Sequence, residues 1–233
     1  MSPPSTKAII LISGNGSNLQ ALIDASLTAL PYLNIIRVIS NRKTAYGLTR
    51  AQKASIPTTY HNLLAGKYHT KDEKDPAIIQ AAREKYDTDL ADLVIAEQPD
   101  IIICAGWMHI LAPTFIDPLA AKNIPIINLH PALPGKYDGA NAIKRAYADF
   151  QQGKLEHDRT GMMIHYVISE VDRGTPILVR EIDCKSSETL DELEVRMHEV
   201  EHQLIVEGTA LAIIELWAQR SNVMLPLGVL EFH

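Results

Sequence analysis

The sequence has little that crosslinks, spans a membrane or grips nucleic acid. It carries two cysteines, Cys104 and Cys184, in 233 residues, too few for a disulfide framework. Cys104 lies inside an apolar run and reads as a buried, reduced thiol. No apolar stretch approaches the roughly 20 residues a membrane-spanning helix needs. The N-terminal MSPPSTK lacks the apolar core of a signal peptide. Positive charge is scarce: 22 basic residues stand against 28 acidic ones, for a net charge of −6. That speaks against a nucleic-acid or membrane-surface partner, while leaving room for a local basic pocket. There are no repeats, no low-complexity tracts and no clear interdomain linker, and no feature specifies an oligomeric state. These absences are read as those of an intracellular protein, most simply a cytoplasmic one. An apolar share of 46% supports one packed domain over residues 1–233, with 1–7 and about 222–233 as flexible or peripheral tails.

Two further absences narrow the ligand. The continuous apolar run 8–13 (AIILIS) reads as a central parallel strand, and Gly14-Asn15-Gly16-Ser17-Asn18 follows at once. Leu19, Leu22, Ile23, Leu27 and Leu30 then recur at helical spacing. Strand, glycine turn and helix together expose backbone N–H groups at a positive helix end, which suits a phosphate, with Ser17 and Asn18 as extra donors and an N-cap. The third glycine of a dinucleotide fingerprint is missing, because Leu19 holds its place, and no Walker lysine follows. NAD and ATP are therefore poorly supported, and a simple phosphomonoester fits better. A plain tight turn with no ligand is the competing reading.

The stretch around which the chain is organised is 124–139, IPIINLHPALPGKYDG. Ile124, Ile126, Ile127 and Leu129 predict a short buried strand. Asn128 and His130, two apart near its end, share a face. Pro131 keeps His130 extended, and Pro134-Gly135 continue the break, so a loop follows. An amide donor beside a titratable ring, at a strand end, suits a carbonyl that becomes an oxyanion. Polar residues in such a place also often do no more than satisfy the next turn.

The remaining elements fall in alternation. Strands are expected at 35–40 and 56–60, and a helix at 46–55 lies between them. Residues 64–75 read as a polar surface loop, followed by a long helix from Pro76 to about Glu97 that carries Arg83. Strand IIICAG ends at Gly106. The apolar segment 107–113 (WMHILAP) comes next and either tucks into the core or forms a flat wall for an aromatic ligand. A short helix is expected at 114–122 and another at 139–152. Strands follow at 160–169 and 176–184, joined by a loop holding Asp172. A helix at 187–219 has Thr189 and Glu192 as a capping box. The pattern predicts an α/β fold: a doubly wound, Rossmann-like, mostly parallel sheet flanked by helices. A strand order of 3-2-1-4 would put the switch point between the first and fourth strands.

Four stretches, ISGNGSNLQ (12–20), CAGWMHIL (104–111), INLHPALPG (127–135) and HYVISEVDRG (165–174), resemble the phosphoribosylglycinamide formyltransferases, small folate-dependent enzymes of purine synthesis. The stretches stand in family order, and the likeness covers nearly the whole chain. It implies transfer of the formyl group of 10-formyltetrahydrofolate to the amine of phosphoribosylglycinamide. By position it implies Asn128, His130 and Asp172 as the catalytic trio. Gly16, Ser17, Asn18 and Glu201 would bind the phosphorylated substrate. Arg83, Met108, His109, Ile110, Leu111 and Asn128 would contact the folate. Two departures stand out: His109 where a bacterial relative has arginine, and Met162-Met163 after Gly161 where small hydroxyl residues are common. In this reading Asn128 donates to the developing oxyanion. His130, if protonated, donates to the same oxygen or shuttles the proton, and Asp172 holds His130 cationic. The nine histidines are read as showing no paired ligand spacing such as H-x-x-x-H on a helix, so no metal is expected.

Three other readings compete. A formyl-folate hydrolase would use the same trio with water as acceptor, but resembles this domain with an added N-terminal module. Methionyl-tRNA formyltransferase would need a nucleic-acid-binding domain and a basic surface. A non-catalytic phosphate-binding α/β module would keep the glycine turn but has no use for the trio.

Overall fold

The computed structural model describes residues 3–221. Seven strands form one sheet in the order β3-β2-β1-β4-β5-β6-β7. β1 (Thr6–Ile12), β2 (Leu33–Ser40), β3 (Thr58–Tyr60), β4 (Ile101–Cys104) and β5 (Ile126–His130) are parallel. β6 (Arg159–Tyr166) and β7 (Pro176–Asp183) extend the sheet antiparallel. Six helices flank it: α1 (Ser17–Ser26), α2 (Tyr46–Lys53), α3 (Pro76–Ala96), α4 (Pro113–Ala120), α5 (Ala142–Gln151) and α6 (Leu190–Arg220).

The alternation of strand side chains builds two cores. Ala8, Ile10 and Ile12 of β1, with Ile101 and Ile103 of β4, pack with α1 and α6. Ile9 and Leu11, with Ile102 and Cys104, pack against α3 and α4 on the other face. A strand apolar on both faces is what a central parallel position demands, so AIILIS and IIIC are continuous runs. The order β3-β2-β1-β4 reverses between β1 and β4, and the crevice beyond their carboxyl ends takes the loops that follow each strand.

Local signals set the helix ends. Asp75 accepts from the Ala77 amide at 2.9 Å, with Pro76 in the first turn of α3. Thr189 and Glu192 form the expected capping box. α6 consequently starts at Leu190, after that cap, rather than at 187. The helix expected from 139 begins only at Ala142, because Gly139 (φ 81) and Asn141 (φ 58) are left-handed. The strand expected over 160–169 ends at Tyr166, just past a register shift between Ile164 and His165. Thr6 and Lys7, expected in a peripheral tail, belong to β1: Thr6 is buried, pairs with Leu33, and accepts from Trp217 Nε1 at 2.8 Å. The tail expected at about 222–233 lies outside the described residues. No helix among the described residues is long and apolar enough to cross a membrane.

Candidate active site

Asn128 and His130 stand at the carboxyl end of β5, and the antiparallel neighbour β6 sets His165 directly opposite Asn128. Asp172 reaches both from the turn between β6 and β7. Its backbone is left-handed (φ 55), uncommon for a non-glycine residue though better tolerated by Asp than by most, and the turn's shape constrains its neighbours. Part of that constraint is Gly174, where a Cβ would lie 1.6 Å from the Tyr166 carbonyl oxygen. An ion pair from Arg173 to Asp138 (2.6 Å) ties the turn to the loop after β5.

The Asp172 carboxylate is the hub of this cluster. Oδ2 lies 3.3 Å from His130 Nδ1 and accepts from the Gly139 amide at 2.8 Å. Oδ1 accepts from Asn128 Nδ2 at 3.4 Å and lies 3.5 Å from His165 Nε2. Burial pushes its pKa up. The neighbouring His165, the hydrogen bond from the Gly139 amide and the nearby His130 outweigh that and leave it below the usual carboxylate range. For His130 the balance runs the other way. Burial pulls its pKa below the ordinary histidine value, and Asp172 and the Lys136 carbonyl, 3.4 Å from Nε2, only partly offset this. The expected cationic His130 is thus corrected: only 3% of its surface is exposed, and desolvation of the charged ring exceeds the pull of one carboxylate.

At the end of β1, Gly16 takes a left-handed φ of 75 and caps α1. A Cβ there would come within 2.6 Å of Gly47 Cα, so the turn packs backbone against backbone. The cap bears no side-chain hydrogen bond, which corrects the expectation that Ser17 or Asn18 supplies one. The opening amides of α1 precede the first intrahelical carbonyl and stay free for an anion. Asn18 turns instead to α6, donating from Nδ2 to Glu201 Oε2 at 3.1 Å, and its buried Oδ1 has no partner. Burial raises the Glu201 pKa, and Asn18, His198 and His202 partly counter it.

The segment 107–112 divides between its two expected roles. Trp107 and Leu111 are 8% exposed and join the core under α3 and α4. Met108 and Ile110 stand 74% and 59% exposed. Met108 N–H donates to Ser13 Oγ at 2.8 Å, so this wall is anchored to the start of the glycine turn. Arg83 Nη2 lies 3.4 Å from His109 Nδ1, and the His109 side chain, only 12% exposed, faces inward. The structure thus gathers Asn128, His130 and Asp172 in one cluster, Asn18 and Glu201 in a second, and Arg83 with His109 in a third.

Sequence reasoning missed two residues. His165 faces Asn128 only through strand pairing. Arg50 of α2 donates to the Asn15 carbonyl (3.0 Å) and side chain (2.9 Å) and so braces the glycine turn. One histidine pair at ligand spacing does exist, His198 and His202 on α6, contrary to the sequence reading. Among the described residues, no group of three or more His, Cys, Asp or Glu is arranged to hold a metal ion. A groove of about 770 Å³ between the start of β5 and the end of α6, bordered by Lys122, Ile124, Glu215 and Arg220, shares no residue with these clusters.

A crevice of this kind, with Asn and His at the end of a parallel strand and Asp from a neighbouring turn, matches a known class. The formyl transferase family model covers residues 6–209, and the chain belongs to that family. It is 49% identical over 202 residues to a phosphoribosylglycinamide formyltransferase of Schizosaccharomyces pombe, spanning 86% of this chain and 93% of that protein. It is 34% identical to the Escherichia coli phosphoribosylglycinamide formyltransferase, over 84% of this chain and 82% of that one. The crystal structure of phosphoribosylglycinamide formyltransferase from Anaplasma phagocytophilum superposes with a TM-score of 0.72 at 30% identity, covering 91% of this chain and 88% of that one.

Proposed function

We infer that the protein transfers the formyl group of 10-formyltetrahydrofolate to the amine of phosphoribosylglycinamide, a step of purine synthesis, with two small-molecule substrates and no nucleic acid. The observation that carries the reading is the Asp172 carboxylate shared between His130 Nδ1 and Asn128 Nδ2 at the crevice edge.

The residues divide the work by chemistry. The free amides of Gly16, Ser17 and Asn18 receive the substrate phosphate. Glu201, beside Asn18, accepts from a hydroxyl or amide of the same substrate. Met108 and Ile110 give the folate ring an apolar face, with Arg83 near its anionic end. The amine attacks the formyl carbon, a C–N bond forms, and the carbonyl electron pair moves to oxygen. Asn128 Nδ2 re-aims one of its long hydrogen bonds, 3.2 Å to His165 and 3.4 Å to Asp172, toward that oxyanion.

His130 starts neutral, with its Nδ1–H directed at Asp172 Oδ2, 3.3 Å away. Negative charge on the intermediate raises its proton affinity. Nε2 therefore takes the proton the attacking nitrogen must lose, and Asp172 stabilises the imidazolium that results. The same proton then passes to the folate nitrogen as the C–N bond to it breaks. The histidine ends the cycle neutral, and no metal takes part.

Purified protein incubated with both substrates should produce the formylated amide and tetrahydrofolate in equal amounts. Formate released without the amine substrate, at a comparable rate, would replace this reading with that of a hydrolase.

A further inference from the structure

Asp87 on α3 is a fully buried carboxylate that the proposed chemistry does not use. A carboxylate removed from water is retained only with partners that satisfy it. Asp87 has two, and both belong to the loop that follows β4. His109 Nε2 lies 3.2 Å from Oδ1 and 3.4 Å from Oδ2, and the Ala112 amide donates to Oδ2 at 3.1 Å.

The proton on His109 can be assigned from its other neighbour. Arg83 Nη2 is 3.4 Å from Nδ1, and a guanidinium can only donate, so Nδ1 accepts and Nε2 carries the hydrogen toward Asp87. The hydrogen bonds therefore run in one direction, from Arg83 to His109 to Asp87, with Ala112 joining at the carboxylate. Two aromatic edges clamp the imidazole: Tyr86 at 5.0 Å and 71°, and Trp107 at 6.2 Å and 82°. The segment is thus tied at both ends, to Ser13 through the Met108 amide and to Asp87 through the Ala112 amide. Met108, at the first tie, and Ile110, between the two, carry the exposed side chains of the segment.

We propose that Asp87 is a positioning residue for the folate side of the site, holding Met108 and Ile110 toward the crevice through the His109 ring and the Ala112 amide without touching the folate itself. This rests on the reading of Met108 and Ile110 as the folate wall. His109, expected as a folate contact, becomes the connecting member. Arg83 is held in place by the same chain, so its remaining N–H groups face a fixed direction.

The test measures binding of a non-reactive folate analogue and steady-state formyl transfer for the wild type, Asp87→Asn, His109→Phe and the double variant, with the melting temperature of each. Phe keeps the aromatic packing at 109 and removes both ring nitrogens. Each single variant should raise the folate KM and the analogue Kd about tenfold, leaving kcat and the KM for the phosphorylated amine within about twofold. The double variant should be no worse than the weaker single, because both cut the same chain. If Asp87→Asn does not fold, the His109→Phe split alone decides. A lowered melting temperature with unchanged folate KM makes the role purely structural and overturns the proposal, as does a loss spread equally over kcat and both KM values. Met108→Ala separates the two layers: unchanged analogue binding in that variant removes the wall reading, and the positioning proposal with it.

Discussion

Asn18 at the start of α1 donates a buried hydrogen bond of 3.1 Å to Glu201 near the middle of α6, 183 positions away. The contact fixes the glycine turn against the longest helix and leaves Asn18 Oδ1 without a partner. Burial raises the Glu201 pKa, which carries a stability cost at neutral pH. A carboxyl whose folded pKa is raised contributes stability that is present below its unfolded pKa and lost as pH rises through the folded one. Glu201→Gln keeps an acceptor for Asn18 and removes the buried charge. It should raise the melting temperature at pH 7 by roughly 2–4 °C, the equivalent of about 1 kcal/mol, while raising the KM for phosphoribosylglycinamide. Thermal melts at pH 5 and pH 8 check the sign, because the gain should shrink toward the acid side.

Gly16 tests phosphate anchoring. A β-carbon there meets Gly47 Cα at 2.6 Å, and φ is left-handed, a combination costing about 1–2 kcal/mol before any repacking. Gly16→Val should raise the KM for phosphoribosylglycinamide and leave folate binding nearly unchanged. An unaltered KM in a folded variant would remove the glycine turn from the substrate site.

The two halves of the wall should respond differently to the same charge. Met108 is exposed and Leu111 is buried. Met108→Asp should therefore fold normally and bind folate weakly, since the carboxylate is desolvated only when the ligand arrives. Leu111→Asp places an unpaired charge in the core, a loss of several kcal/mol. Circular dichroism separates the two outcomes.

The pH dependence follows from burial. His130 has a lowered pKa and begins the reaction neutral, so the acid limb of kcat/KM should fall below the ordinary histidine value near 6.5. Asp172→Asn removes a charge that raises the His130 pKa and should move the limb lower still. For folding, both groups act in the same direction. Asp172 has a lowered pKa, so its stabilisation is present above about pH 4 and is lost as pH falls through the folded value. Neutral burial of His130 likewise weakens folding as pH drops below about 6.5. A rise in stability on acidification over this range, after allowing for Glu201, would contradict both.

What could be read from the sequence was what periodicity and chain punctuation encode. AIILIS and IIIC are apolar on both faces because β1 and β4 are central, and the glycine turn and Asn-x-His pair sit where parallel strands end. Element ends were less legible at 139–141, because the left-handed residues Gly139 and Asn141 delay α5. The site was legible wherever its residues share one strand or resemble the family motif. It was hidden where it depends on pairing across the sheet. His165 reaches Asn128 only because β6 turns antiparallel to β5, and Asp87 reaches Ala112 only because α3 packs against the loop after β4. The low pKa of His130 was also hidden, because the depth of burial is a property of the assembled pocket and not of the motif.

The central claim is that Asn128, His130 and Asp172 act as one catalytic unit on a formyl carbonyl. Single-turnover formyl transfer with both substrates saturating tests it most directly, comparing Asn128→Ala, His130→Ala, Asp172→Ala and the His130→Ala/Asp172→Ala pair. Asn128→Ala should cost about 100- to 1000-fold, the scale of one oxyanion donor, and His130→Ala about 100- to 10,000-fold. The double variant should lose less than the product of the two single losses, because Asp172 acts through the His130 ring. Wild-type turnover in His130→Ala, or strictly multiplicative losses in the double variant, would contradict the account.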